Sequence, residues 1–410
     1  MFSSLLPQLK SLRRGLLSLA GGLLLIEFLD ELVFGAGEAA WPLIRSDLGL
    51  TYLQIGLLLS LPRLVGSALE PFLGVLADQG WRRRLILGGG LAFALACLLT
   101  GLAPSFALLL AAFCLFNPAS GAFVSLSQTA LMDTDPRRHD QLMARWTLAG
   151  SLGVVAGPLL LGLTAWLGLS WRGAYLGVAA GALALTALVW PRRLPPSGAA
   201  AAGQGLRAGL GAALRALTRP AVLRWLVLLE FADFMLDILL GFLALYLVDT
   251  AGATPEQAAL GVAVWTGAGL VGDALLIPLL ERVRGLAYLR LSALIVAGLY
   301  PAFLLTPGFG AKLIWLALLG LFNSGWYAIL KGRLYSALPG QSGTVLAVDA
   351  FFGLAAGFLP ALLGWAAEQF GLPGAMWLLL LGPLALLIGL PTAGPAAGDQ
   401  SADPPQPLQS

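Results

Sequence analysis

The sequence predicts an all-α integral membrane protein with twelve transmembrane helices, arranged as two six-helix bundles related by pseudo-two-fold symmetry. Three observations predict it. Of 410 residues, 58% are hydrophobic and only 11% charged, against about a quarter charged in soluble domains. Apolar runs of roughly 18–26 residues recur along the chain, the length a helix needs to cross a hydrocarbon core ~30 Å thick. Short segments of the first half also recur in the second at a nearly constant offset, the mark of an internal repeat. Runs this long exclude a membrane β-barrel, whose strands read as ~10-residue alternating segments.

Taken in order, the spans read as residues 16–38, 52–77, 85–103, 106–131, 142–167 and 173–190, then 223–247, 257–280, 287–306, 311–335, 344–367 and 374–391. Basic residues flank them unevenly. Of the 24 Lys and Arg, Arg45, Arg172 and Lys312 fall on the far side, Arg63 lies inside a span, and the rest share the side of the N-terminus. Positive charge marks the cytoplasmic side, so both termini are expected there, in a cell (inner) membrane. The basic start followed by an apolar run has the outline of a signal peptide. Acids from Glu27 onward interrupt that run, so the segment reads as a retained helix.

The repeat supports the two-bundle division. Glu27-Phe28-Leu29-Asp30 recurs as Glu230-Phe231-Ala232-Asp233, 203 residues later. Val65-Gly66-Ser67-Ala68-Leu69 recurs as Val271-Gly272-Asp273-Ala274-Leu275, and Leu115-Phe116-Asn117 as Leu321-Phe322-Asn323, both at an offset of 206. Pro158 with Gly162 recurs as Pro360 with Gly364, at 202. The organisation is therefore an N-terminal bundle (1–190), a cytoplasmic linker (191–222), a C-terminal bundle (223–392) and a polar, Pro-rich tail (393–410) expected to be disordered. The linker's Pro, Gly, Ala and scattered Arg suit a short basic amphipathic helix on the membrane surface.

The chemistry is carried by buried charge. Glu27 falls about 16 Å into the first span by helical rise, the middle of the bilayer. Asp30 and Glu31 share its helix face, with Glu38 further along. Glu230, Asp233 and Asp237, spaced i, i+3 and i+7, share one face of the seventh span, and Glu27 and Glu230 are expected to face one another across the centre. Glu70, Asp273 and Asp349 are secondary candidates nearer the cytoplasmic side, and Arg63 is the one clear base within a span. A charge at mid-bilayer costs on the order of 3 kcal/mol even on lenient scales. These acids must therefore be protonated, paired with Arg63, or neutralised by a bound cation. Glu31 and Glu38 lie toward the far end and read as a hydrated vestibule. Asn117, Asn323, Gln128, Trp265, Trp326 and Tyr327 are candidate cavity residues, although Trp and Tyr more often anchor helices at the interface.

Two motifs carry a family resemblance. Gly74-Val75-Leu76-Ala77-Asp78-Gln79-Gly80-Trp81-Arg82-Arg83, after the second span, resembles the signature loop of the major facilitator superfamily. Gly74, Asp78, Arg82 and Arg83 match in place; Gln79 departs from the usual basic residue, and the glycine stands at 80 rather than 81. The resemblance implies a helix-gating role for those residues. Gly153-Val154-Val155-Ala156-Gly157-Pro158 in the fifth span is similar to the core of the motif found in the superfamily's antiporters, with Ala144 and Leu161 where glycines are usual. Phe28 to Arg84 also resembles bacterial drug-efflux members, including the fosmidomycin-resistance group. What this implies is a secondary transporter working by alternating access, with its site near the midplane between the halves.

A cation competing with protons for shared carboxylates gives antiport, so export of a small cationic or amphipathic solute driven by proton entry is the expected function. A cation-coupled symporter of a sugar or organic acid, and a lipid flippase on the same fold, are the alternatives. An enzyme is not expected: phosphate-cradling loops, nucleophile elbows and metal-ligand spacings are missing from the sequence. Its one histidine, His139, and two cysteines, Cys97 and Cys114 in apolar runs, supply neither a His/Cys metal cluster nor a disulfide framework. The expected partners are a small-molecule substrate and the lipid bilayer, with no nucleic acid. A monomer is expected, needing no cofactor beyond a coupling ion, H⁺ or Na⁺.

Overall fold

The computed structural model describes residues 18–134, 139–194, 214–280, 282–338, 348, 351–354 and 356–391. Asp349, most of the linker and the tail from residue 392 lie outside the described residues. The described residues form twelve long helices: α1 (Leu19–Leu48), α2 (Tyr52–Leu76), α3 (Arg82–Leu102), α4 (Phe106–Met132), α5 (His139–Trp166), α6 (Trp171–Val189), α7 (Pro220–Asp249), α8 (Pro255–Leu280), α9 (Gly285–Leu305), α10 (Phe309–Leu334), α11 (Phe351–Phe370) and α12 (Leu372–Gly389). Eleven are long and apolar enough to cross a membrane. The twelfth, α1, has 30 residues and differs because it carries the acids. Their outer surfaces expose large apolar side chains such as Leu159, Trp166, Leu305, Phe370 and Ile388, as lipid-facing helices do. We call the side holding residues 18 and 391 the termini face and the opposite side the far face.

The helices run close to the expected spans, with one large difference. Helix α1 continues ten residues past position 38, through Pro42 and Arg45, and stops at Gly49, whose positive φ of 62° lets its N–H reach the Arg45 carbonyl. Arg45 can lie on this helix because Asp249 neutralises it (Nη1–Oδ2 2.6 Å). Helix α7 starts at Pro220, inside the expected linker, with proline at the first helical position.

Glycine sets how tightly the N-terminal half packs. A Cβ on Gly153 would stand 2.5 Å from the Phe28 carbonyl oxygen, and one on Gly157 would run into the Ala36 nitrogen. The residues that resemble an antiporter motif thus let α5 lie backbone-to-backbone on α1.

The repeat reappears in the capping and irregularities of matching helices. Thr51 and Gln54 form a reciprocal capping box at the start of α2, Thr51 N–H to Gln54 Oε1 at 2.9 Å and Gln54 N–H to Thr51 Oγ1 at 3.2 Å. Thr254 and Gln257 repeat it at the start of α8, at 2.9 and 3.3 Å, 203 residues on. Helix α4 loosens into a π turn at Gly121–Ser125, just past Asn117, and α10 breaks at Ser324 and Gly325, just past Asn323. Both Asn residues belong to the same repeated segment.

Lys312, expected at the far-side surface, is buried instead. Its Nζ donates to the Phe303 carbonyl at 2.6 Å, the Leu304 carbonyl at 3.3 Å and the Tyr246 hydroxyl at 3.1 Å. It satisfies carbonyls that the last turn of α9 leaves open, and so binds α7, α9 and α10 together.

Candidate functional site

A cavity of about 540 Å³ lies between the halves. Its N-terminal wall carries Asp30, Glu31 and Glu38 from α1 and Arg63 from α2; α7 contributes Asp237 and α11 Pro360. Aromatic rings fill the spaces between these charges: Phe34 and Trp41 from α1, Phe113 and Phe116 from α4, and Tyr175 from α6. All five belong to the first half. Four carboxyl groups and one guanidinium therefore surround the space, so its field favours positive charge.

Local partners hold each acid. Ser120 donates to Asp30 Oδ1 at 2.9 Å, and Trp41 Nε1 to Glu38 Oε2 at 3.0 Å. Arg63 crosses between the halves to Asp233 (Nη1–Oδ2 3.1 Å), its side chain 40% exposed and that of Asp233 16%. The guanidinium is also within electrostatic reach of Asp237 and Glu230.

The seventh helix is not continuous where its acids sit. It is helical over Pro220–Asp233 and again over Asp237–Asp249, and Leu236 between them has φ −111° and ψ −100°. Neither Pro nor Gly occupies the break. Asn323 of α10 supports it by donating to the Met235 carbonyl at 2.8 Å. Asp233 ends one segment and Asp237 opens the next, within hydrogen-bonding reach of each other. Glu230 and Asp233 therefore share one helical segment while Asp237 opens the next, so the three do not lie on the single face expected of an unbroken helix. Interrupted helices at mid-membrane are a recurrent way to build transport sites.

Of the predicted set, Asp30, Glu31, Arg63 and Asp237 line the cavity, and Asp233 reaches its wall through Arg63. Glu27 is buried against α5, where its Oε1 stands 2.7 Å from the Cβ position of Gly150. It is thus packed against α5 within the first half. Glu38, read as vestibular, is buried at 6% exposure, with its Oε2 3.5 Å from the Cβ position of Gly241 on α7. Glu70 lies beside Gly121 in the π turn of α4. Asp273 accepts from the Gly325 N–H at 3.1 Å, so it supports the break in α10. Among the candidate polar and aromatic residues Asn117 lines the cavity. Trp326 is buried and donates to Ser292 Oγ at 2.7 Å. Trp41, Phe113 and Tyr175 are site residues that only a three-dimensional arrangement identifies.

The signature segment turns at Gly80, φ 91°, between α2 and α3. Arg82 pairs with Asp133 at the end of α4 (2.5 Å), and Arg83 donates to the Trp190 carbonyl at the end of α6 (2.7 Å). Both fasten the termini-face ends of the first half. Among the described residues no group of three or more His, Cys, Asp and Glu has the arrangement of a metal site, and both cysteines are free.

Two matching helical halves around an acid-walled central cavity define a membrane transporter rather than an enzyme. The chain belongs to the major facilitator superfamily, whose family model matches residues 23–349. Among curated proteins it is similar to the fosmidomycin resistance protein of Escherichia coli K12, 30% identical over 141 residues, 34% of each chain. It is also similar to a multidrug resistance protein B homolog of Mycobacterium tuberculosis, 31% identical over 188 residues, 44% of this chain and 34% of that one. These alignments span about a third of the relatives' lengths. Among solved structures, a bacterial homolog of the human lysosomal transporter Spinster, in an inward-facing and unoccupied conformation, aligns over 91% of this chain and 95% of its own, with 19% identity and a TM-score of 0.72. The nucleoside transporter NupG aligns over 91% and 98%, with 13% identity and a TM-score of 0.74. These two likenesses establish the fold.

Proposed function

We propose that this transporter exports a small organic cation in exchange for protons, by alternating access, from an inner membrane with both termini in the cytoplasm. The observation that carries the reading is the cavity wall: Asp30, Glu31, Glu38 and Asp237 around a space whose one lining base, Arg63, is already engaged by Asp233. A bound cation neutralises these acids when protons do not, so each ligand's arrival favours the other's departure. The aromatic rings add a surface for the apolar body of an amphipathic cation, and a cation over a ring gains about 0.5–2 kcal/mol. Export, rather than uptake, is supported by the fosmidomycin- and multidrug-resistance relatives.

The test is transport in proteoliposomes under an imposed pH gradient, with a panel of cationic, neutral and anionic compounds. Cations should accumulate in wild type, and Asp30→Asn and Asp237→Asn should abolish accumulation. Movement of anions alone would refute the reading and make Arg63 the substrate residue. Dependence on sodium instead of the pH gradient would indicate a symporter.

A further inference from the structure

The repeat makes two seams between the halves equivalent: α2 against α11, and α5 against α8. Pro158 and Gly162 of α5 correspond to Pro360 and Gly364 of α11, and the capping box of α2 to that of α8. At the far face the two seams nonetheless differ. Along α2–α11 the backbones touch: a Cβ on Gly56 would stand 2.5 Å from the Pro360 carbonyl oxygen, and one on Gly364 would run into that of Tyr52. Ser60 Oγ accepts from the Ala361 N–H at 3.0 Å. Glu368 Oε1 accepts from the Leu53 N–H, an open donor in the first turn of α2, at 3.0 Å. Beside them Asp249 Oδ2, at the end of α7, accepts from Arg45 at 2.6 Å and from the Tyr52 hydroxyl at 2.9 Å. Arg45 also lies 4.2 Å above the Tyr52 ring.

Along α5–α8 the counterpart of Gly364 makes no such approach: a Cβ on Gly162 would meet nothing within 4 Å. Pro158, Gly162 and Ala259, the last the counterpart of Gly56, line an apolar groove of about 210 Å³. The counterpart of Glu368 is Trp166, 81% exposed. The counterpart of Leu53 is Glu256, at the groove's edge.

We propose that Glu368 and Asp249 are positioning residues of a one-sided latch that holds the α2–α11 side of the far face shut, so that this face parts first along the unfastened α5–α8 seam. The latch concerns how the halves move and not what the cavity binds, so its failure would leave the cavity reading intact.

Distances measured by electron spin resonance between nitroxide pairs test it, with Cys97 and Cys114 replaced by Ala. One pair, Ser46 and Phe370, spans the latched side; the other, Trp166 and Glu256, spans the groove. In otherwise unaltered protein the latched pair should give the narrower distribution. Glu368→Ala should raise the far-open fraction at the latched pair about tenfold, the scale of one charge-assisted hydrogen bond. Glu368→Gln keeps an oxygen for the Leu53 N–H and should stay close to wild type, which separates the latch from a general loss of folding. An unchanged distribution in Glu368→Ala, an equal change in both variants, or a latched pair as broad as the groove pair would each overturn the proposal.

Discussion

The contact between Arg63 and Asp233 joins the halves at the depth of the broken helix, and its removal has a calculable effect. At 3.1 Å and an effective dielectric of ~20, opposite unit charges attract by about 5 kcal/mol. Arg63 is 40% exposed to the cavity, so hydration of the separated groups offsets much of this, and about 2 kcal/mol is the expected net coupling. The single variants should not be equal. Asp233→Asn leaves Arg63 within reach of Asp237 and Glu230, whereas Arg63→Gln leaves Asp233 and Asp237 facing one another without the guanidinium between the halves. A double-mutant cycle on thermal or denaturant unfolding in detergent reads both effects. Arg63→Gln should destabilise more than Asp233→Asn, and the double variant should recover about 2 kcal/mol relative to the sum of the singles. Additive losses would show that the two side chains are not energetically coupled, and a milder Arg63→Gln would contradict the expected order.

Three further predictions concern the scaffold. Gly157→Ala places a methyl against the Ala36 nitrogen and should cost about 1–3 kcal/mol in unfolding assays; Gly162→Ala, with nothing within 4 Å, is the tolerated control. Asp273→Asn keeps an acceptor for the Gly325 N–H and should leave stability and transport near wild type, whereas Asp273→Ala should lower the melting temperature by exposing an unpaired donor at the α10 break. Lys312→Met removes three hydrogen bonds at the end of α9 and should destabilise by about 2–4 kcal/mol, read by the same unfolding assay.

The spans were legible because hydrocarbon thickness dictates apolar length, and the halves because the chain repeats its own residues. Glu27, Asp30 and Asp233 stood out for the same reason: acids at mid-span have few explanations. The break in α7 was not legible. Phe234, Met235 and Leu236 carry no breaker chemistry, and the support comes from Asn323, 88 residues away. Glu38 departs from the vestibular expectation because Trp41 and the facing surface of α7 at Gly241 fold it into the cavity wall. Lys312 was misplaced because a lysine near a helix start reads as a flank charge until the open carbonyls of α9 are brought to it. The paired Thr-x-x-Gln boxes were present in the sequence, and comparing capping signals across the repeat would have found them.

On the proposed mechanism, organic cations and protons compete for the same cavity carboxyls. Proton release on binding tests it most directly, measured with a pH indicator in weakly buffered, detergent-solubilised protein as a cationic substrate from the transport panel is added. Wild type should release protons as the cation saturates, and Asp237→Asn should release fewer. Saturable binding with no proton release would contradict the account.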